Sequence, residues 1–243
     1  ASGPRVALAT SLGLHFAANT MDSLLAVALT LRGAVVEPIF CDGALPACQV
    51  IDHTLSPCVD RIAAKGPQPD FCDVCQSSAR RLYAPLGLNV RHFSEGLAPE
   101  DADLAKGFAQ VWIDRSETAD MDARARHALA GALRFFGRAE LPNDAQSRAI
   151  YARYLESAYL SAAAMQRLFA ANRYDVVIAH HGIYTPQGLV AHVAREQDRR
   201  LVTWHAAYRT GRIIYQHRDT YHVEMPREDE AAWNRPIDAS EDA

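Results

Sequence analysis

The sequence has no cysteine outside residues 41 to 75, yet five thiols stand inside that stretch: Cys41, Cys48, Cys58, Cys72 and Cys75. A secreted disulfide scaffold is short, dense in cysteine and even in count, so this pattern points to a reducing cytoplasm. No apolar run approaches the roughly 20 residues that a membrane-crossing helix needs. Positive charge is not in excess: 25 Lys and Arg face 29 Asp and Glu, for a formal net charge of -4. That balance argues against a duplex nucleic-acid partner. The opening "ASGPRVALATS" shows no basic segment leading into a long apolar stretch, so no secretory signal is read there. It also lacks an initiating Met, as expected of a processed chain or a part of something longer. Neither "SLGLHFAAN" nor "HHGIYTPQG" forms a glycine-rich nucleotide fingerprint or a Walker motif. Internal repeats and low-complexity blocks are absent as well.

What is present is a core-forming composition, 49% hydrophobic over 243 residues, enough for a substantial interior. "RVALAT" at 5–10 and "AVVEPIFC" at 34–41 read as buried strands, with an amphipathic helix between them that Gly33 closes. Strand, helix and strand with short connections imply a parallel pair with a right-handed crossover. "DVCQSSARRLYAPLG" reads as a helix from Asp73, and "NVRHF" as a short third strand. From about 99 to 172 the pattern is helical throughout, ending in one long helix whose apolar stripe includes Ile150, Tyr154, Leu155, Ala158, Ala162, Met165 and Phe169. Alternation resumes with the strand "YDVVIA", a helix N-capped by Thr185 with Pro186 at its first position, and the strands "RLVTW" and "GRIIYQH". The expected fold is α/β: a Rossmann-like parallel sheet flanked by helices. It spans residues 1–225 as a single domain, with a helical insertion at 99–172 and a cysteine-rich loop at 41–75. Residues 226–243 form an acidic tail or the start of a linker.

The cysteine spacing C-x6-C-x9-C-x13-C-x2-C suggests a metal site. Two thiolates three positions apart suit one tetrahedral ion, and "ALPAC" offers a tight loop for a further ligand. Four of the five cysteines are the expected ligands of a structural zinc, with an iron–sulfur cluster as the alternative. A redox pair at Cys72 and Cys75, or plain buried thiols, are the other readings. A four-thiolate site is closed, so it would explain the fold and not the reaction.

In an open parallel sheet, ligands bind beyond the carboxyl ends of the strands. Three expected strands deliver histidines there: His15 after the first, His180 and His181 after "DVVIA", and His205 after "LVTW". Gly13, Gly182, Tyr184, Thr185, Tyr208 and Arg209 surround them in sequence. Together they form a polar, titratable rim for a substrate. "YQHRDTYH" reads either as a second wall of that cleft or as an exposed hairpin.

Three stretches, "ALTLRGAVVEPIFCDGALPAC", "CDVC…LYAPLGL" and "VIAHHGIYTPQGLVAHVAREQDRRLVTWHAAYRTGRIIYQHRDTYH", together resemble the N-terminal half of bacterial glycosyltransferases of the GT-B architecture that build surface or capsular polysaccharide. The resemblance implies an acceptor-binding domain in a sugar transfer from a nucleotide-sugar. It implies a general base in the loop after the first strand, for which His15 stands here with Asp22 as the fallback. It further implies a saccharide acceptor lined by His180, His181 and His205, and a cytoplasmic place, peripheral to the inner face of the membrane. The nucleotide-sugar would bind a second Rossmann half that this sequence lacks, so no turnover is expected of the chain alone. A zinc-stabilised interaction module without catalysis, or a CxxC redox protein, are the alternatives.

Overall fold

The computed structural model describes residues 3–52, 59–67, 70–115, 120–207 and 209–220. Six strands form one sheet in the order β3-β2-β1-β4-β5-β6. They are β1 (Arg5–Ser11), β2 (Val35–Phe40), β3 (Arg91–His92), β4 (Val176–His180), β5 (Arg200–Ala206) and β6 (Ile213–His217). All pairings are parallel except β5 with β6. The fold is mixed α/β and Rossmann-like. The chain moves outward from β1 to β3 on one side, then returns to lay β4 against the other side of β1. The reversal point therefore lies between β1 and β4.

The central strands are covered on both faces, which is why they read as continuous apolar runs. Ala7, Leu8 and Ala9 of β1 and Val177 and Ala179 of β4 are fully buried. Helix α1 (Phe16–Leu31) packs Ala18 and Ala26 with Val6, Leu8, Ile178 and Trp204. It starts earlier than the sequence suggests, because the His15 side chain accepts from the Ala18 N–H and caps it. On the other face, a single core joins Ala7, Ile39 and Val177 to the helices α4 (Asp101–Trp112), α5 (Ala123–Phe136), α6 (Ala145–Ala171) and α7 (Gln187–Glu196). Helix α3 (Asp70–Tyr83) begins three residues before the expected start at Asp73. A short helix, α2 (Val59–Lys65), occupies the cysteine-rich segment where only loop was expected. Helix α7 begins at Gln187 with Pro186 as its cap. Thr185 is fully buried and its hydroxyl donates to the His127 carbonyl at 3.3 Å, so it does not cap the helix. The expected acidic tail lies outside the described residues.

Helix α6 organises the chain before and after it. Its Ser157 hydroxyl accepts from the Ala47 N–H at 2.7 Å, and its Tyr154 hydroxyl donates to the Cys48 carbonyl at 3.1 Å. Arg134 of α5 donates to the Gln49 carbonyl at 2.6 Å. Three consecutive loop residues thus have backbone groups satisfied by helix side chains, as buried backbone requires. Arg153 donates to the carbonyls of Ala63 and Ala64 at the end of α2, at 3.1 and 2.7 Å. Gly131 allows α5 to approach α6 closely: a Cβ there would fall 2.5 Å from Tyr154 Cδ1. Gly131→Ala is expected to displace the Tyr154 ring and destabilise the protein by about 1–3 kcal/mol, the usual cost of overpacking. Urea unfolding measures this, and an unchanged midpoint would mean that the two helices adapt freely.

Candidate functional site

The ends of β1, β4 and β5 place aromatic rings side by side. The ring centroids of His15 and His180 are 4.7 Å apart. His180 also lies 4.4 Å from His181 and 4.6 Å from the Trp204 ring. His181 meets Tyr184 edge-on at 5.2 Å. The parallel register explains this convergence, since His180 stands directly opposite Trp204. Backbone conformation at the same edge is unusual. Ser11 (φ 66°), His181 (φ 37°) and Gly182 (φ 68°) turn the chain sharply where β1 and β4 end. Positive φ is costly for the two non-glycine residues and is held in place by the surrounding structure. At Gly182 a Cβ would meet Thr220 Cγ2 at 2.8 Å, so the turn needs glycine on steric grounds as well.

The hydrogen bonds fix what each ring can do. His15 Nδ1 accepts from the Ala18 N–H at 3.3 Å, so the neutral ring carries its proton on Nε2. His181 is used at both nitrogens: Nδ1 accepts from the Ile183 N–H at 3.1 Å, and Nε2 donates to Gln49 Oε1 at 2.9 Å. His205 Nδ1 donates to the Ala206 carbonyl at 2.9 Å. The Nδ1 of His180 is buried with no hydrogen-bond partner among the described residues. Burial is the main cause of the low basicity of these rings. It lowers His15 below the ordinary imidazole value, aided by the positive charge of Arg134, against one opposing backbone hydrogen bond. It takes His180 down to about 3, with His15 and His205 adding repulsion. Both rings are therefore neutral near pH 7.

Asp22 sits beneath this cluster, 1% exposed. Its carboxyl receives the Thr10 hydroxyl at 2.7 Å and the Trp204 indole N–H at 2.8 Å. Burial raises it to about 7, and the two donors pull the other way. Asp22 reaches the imidazoles only through Trp204.

Of the remaining candidates, Gly13 is buried against α3, and Tyr184 lies under the Arg134 guanidinium, 5.7 Å from its ring centroid. Arg209 is exposed in the turn between β5 and β6, and Tyr208 lies outside the described residues. Thr185 is spent on α5. Sequence reasoning missed Thr10, Gln49, Arg134 and Trp204, which hold the site from four different elements. Only Trp204 carried a signal, as the residue preceding His205 at a strand end. Beyond the ends of β2 and β3 a cavity of about 340 Å³ adjoins the same edge, with Phe40, Ala79, Tyr83 and Val90 as apolar wall and Asp42, Arg80 and His92 among its polar residues.

The cysteines require a correction. Among the described residues no group of three or more His, Cys, Asp or Glu side chains is disposed to hold a metal ion, so the expected zinc or iron–sulfur centre has no support in this geometry. Cys41, Cys48, Cys72 and Cys75 are free thiols, and Cys58 lies outside the described residues. The four line a small cavity of about 20 Å³ shared with Leu12, Leu45, Val50 and Phe71. Burial pushes Cys41 up to about 12 and Cys72 up to about 11, and raises Cys48 and Cys75 as well. They pack as protonated thiols. Such thiols also do not suit the redox alternative, whose attacking group is a thiolate.

No protein-family model and no curated protein matches the chain. Solved structures similar to it include AlbC, a cyclodipeptide synthase from Streptomyces noursei, at 12% identity and a TM-score of 0.39 over 73% of this chain and 83% of that one. A CDPS from Fluoribacter dumoffii is similar at 12% identity and a TM-score of 0.46, over 88% of this chain and 90% of that one. A cyclo(L-leucyl-L-phenylalanyl) synthase is similar at 13% identity and a TM-score of 0.44, over 88% and 91%. The expected GT-B glycosyltransferase half and the sugar transfer drawn from it are corrected: the structures found similar are named as cyclodipeptide synthases, not as glycosyltransferases. The saccharide acceptor and the nucleotide-sugar fall with that resemblance, and the exclusion of nucleic acid goes with the partner set it belonged to. The zinc-stabilised interaction module falls too. Among the described residues no helix is long and apolar enough to cross a membrane.

Proposed function

We propose that the chain is an enzyme of group transfer to an activated carbonyl, in which a hydroxyl or amine is the nucleophile and the neutral imidazoles at the sheet edge manage charge and proton. The observation that carries this reading is the His15–His180 pair, 4.7 Å apart. One ring is tied at Nδ1 so that it presents Nε2–H, and the other is buried with an unpartnered Nδ1. A neutral N–H aimed at a carbonyl oxygen stabilises the oxyanion that develops there. The nucleophile attacks the carbonyl carbon, its new bond forms, and the carbonyl π pair moves to oxygen under the His15 Nε2–H. His180 takes the nucleophile's proton on Nε2, its Nδ1 being closed off by burial, and returns it to the leaving group as the tetrahedral species collapses. A buried ring at about 3 is never protonated in advance at neutral pH, and negative charge growing beside it raises its proton affinity in the transition state.

Because the His15 Nδ1 is occupied as a helix cap, the donor role suits it better than the base role. Asp22 is a positioning residue: it holds the Trp204 indole against His180. The adjoining 340 Å³ cavity offers room for the apolar part of a reactant. Cyclodipeptide formation, named for the similar structures, belongs to this reaction class, although likeness at such TM-scores does not support it by itself. The free thiols support a reducing, cytoplasmic compartment.

The test is turnover of the purified chain on a panel of activated acyl donors paired with amine and alcohol nucleophiles, cyclodipeptide formation included. His15→Ala is expected to lower kcat by about 10²–10³-fold with little change in KM, as for loss of one oxyanion donor. His15→Gln, which keeps an N–H at a similar reach, is expected to retain at least about tenfold more activity than His15→Ala. Equal losses in the two variants would remove the donor role, and unchanged turnover would remove His15 from the reaction.

Asp22 gives a prediction independent of substrate. Its folded value of about 7 lies above the ordinary carboxyl value of 3.8, so between those values the native state holds a proton that the unfolded chain has lost. Wild-type stability therefore falls as pH rises through that window and levels off above it. Asp22→Asn removes this dependence, so its stability relative to wild type should improve from about pH 5 to about pH 8. Urea midpoints at the two pH values measure the change, and a constant difference would show that the carboxyl is ionised throughout.

A further inference from the structure

The one buried cysteine beside the catalytic loop has a use that the cluster as a whole does not. The Cys75 sulfur accepts the Gly13 N–H at 3.1 Å, and the Leu14 N–H beside it acts on the same thiol. These are the two residues immediately before His15. The same loop is held from α1, where the Asn19 amide donates to the Leu12 carbonyl at 3.0 Å and to the Gly13 carbonyl at 2.5 Å. It is also pressed from α3: a Cβ on Gly13 would fall 1.9 Å from the Cys75 carbonyl oxygen. The loop therefore lies against the α3 backbone with no room for a side chain at Gly13, the Leu12 and Gly13 carbonyls taken by Asn19 and the Gly13 N–H by the Cys75 sulfur.

We infer that Cys75 is a positioning residue for His15, setting the height of the β1–α1 loop over the sheet edge. Sulfur suits the task because its radius and diffuse lone pairs let it accept a backbone N–H across a close helix contact. Without it the buried Gly13 N–H is left unpaired, a condition relieved only if the loop moves or water enters. Either change displaces His15 relative to His180. The inference rests on His15 being the group that must be placed, but its test reads the loop directly, so failure here is distinct from failure of the proposed reaction.

The experiment is amide hydrogen exchange with imidazole nitrogen NMR on the full chain as wild type, Cys75→Ala and Cys75→Ser. In Cys75→Ala the Gly13 and Leu14 amides should exchange at least about tenfold faster, while Ile178 in the central strand keeps its wild-type rate. The His15 ring should lose its single Nε2–H tautomer. Cys75→Ser, which restores a smaller acceptor, should return both readouts most of the way to wild type. Wild-type exchange at Gly13 and Leu14 with an unchanged His15 tautomer in Cys75→Ala would overturn the inference. So would acceleration that spreads equally to Ile178 and is not rescued by serine.

Discussion

Burial at the reversal point of the sheet is the constraint on which this molecule turns. The parallel sheet changes direction between β1 and β4, and the loops leaving those strands gather buried rings at their carboxyl ends. These rings are too well covered to hold charge. His180 is the clearest case, held near 3 by desolvation and by its neighbours. A cluster that in water would be a proton buffer near neutrality is here a set of uncharged donors and acceptors. Such groups can meet charge as it develops in a reaction without first giving up charge of their own.

The helical segment between β3 and β4 holds the site as well as covering the sheet. Helices α5 and α6 take the backbone of Ala47, Cys48 and Gln49, and Gln49 in turn receives the His181 Nε2–H. Arg134 links three parts of this arrangement, bonded to the Gln49 carbonyl, placed over Tyr184 and repelling charge on His15. Helix side chains thus anchor the cysteine-rich segment at Ala47, Cys48 and Gln49. Its thiols fill a small apolar cavity, and one of them reaches the loop before His15.

Much of the fold could be read from residues alone, because the signals were local. The buried runs at β1 and β4 could only be covered strands, and the long α6 stripe showed its period over several turns. The meeting of His15 with His180 follows from the same logic, as strand ends in a parallel sheet share an edge. What could not be read depended on contacts between residues far apart in sequence. Thr185 followed by proline looks like a helix start, but the Thr185 hydroxyl is claimed by α5, 58 residues away. The CxxC spacing looks like a metal site, yet the Cys75 sulfur accepts the Gly13 N–H, 62 residues away, and Cys72 shares a small cavity with Leu12, Leu45, Val50 and Phe71. Asp22 reads from the sequence as the fallback base, but its carboxyl is buried and receives the indole N–H of Trp204, 182 positions later.

The most direct test of the account is the protonation state of the His180 and His15 rings, followed by imidazole nitrogen chemical shifts across a pH titration of the unmodified chain. The account predicts that both rings are neutral at pH 7, that His180 begins to protonate only near pH 3 if the fold survives that far, and that neutral His15 carries its proton on Nε2. A His180 that protonates at the ordinary imidazole value of 6.5, or a His15 with its proton on Nδ1, would contradict it.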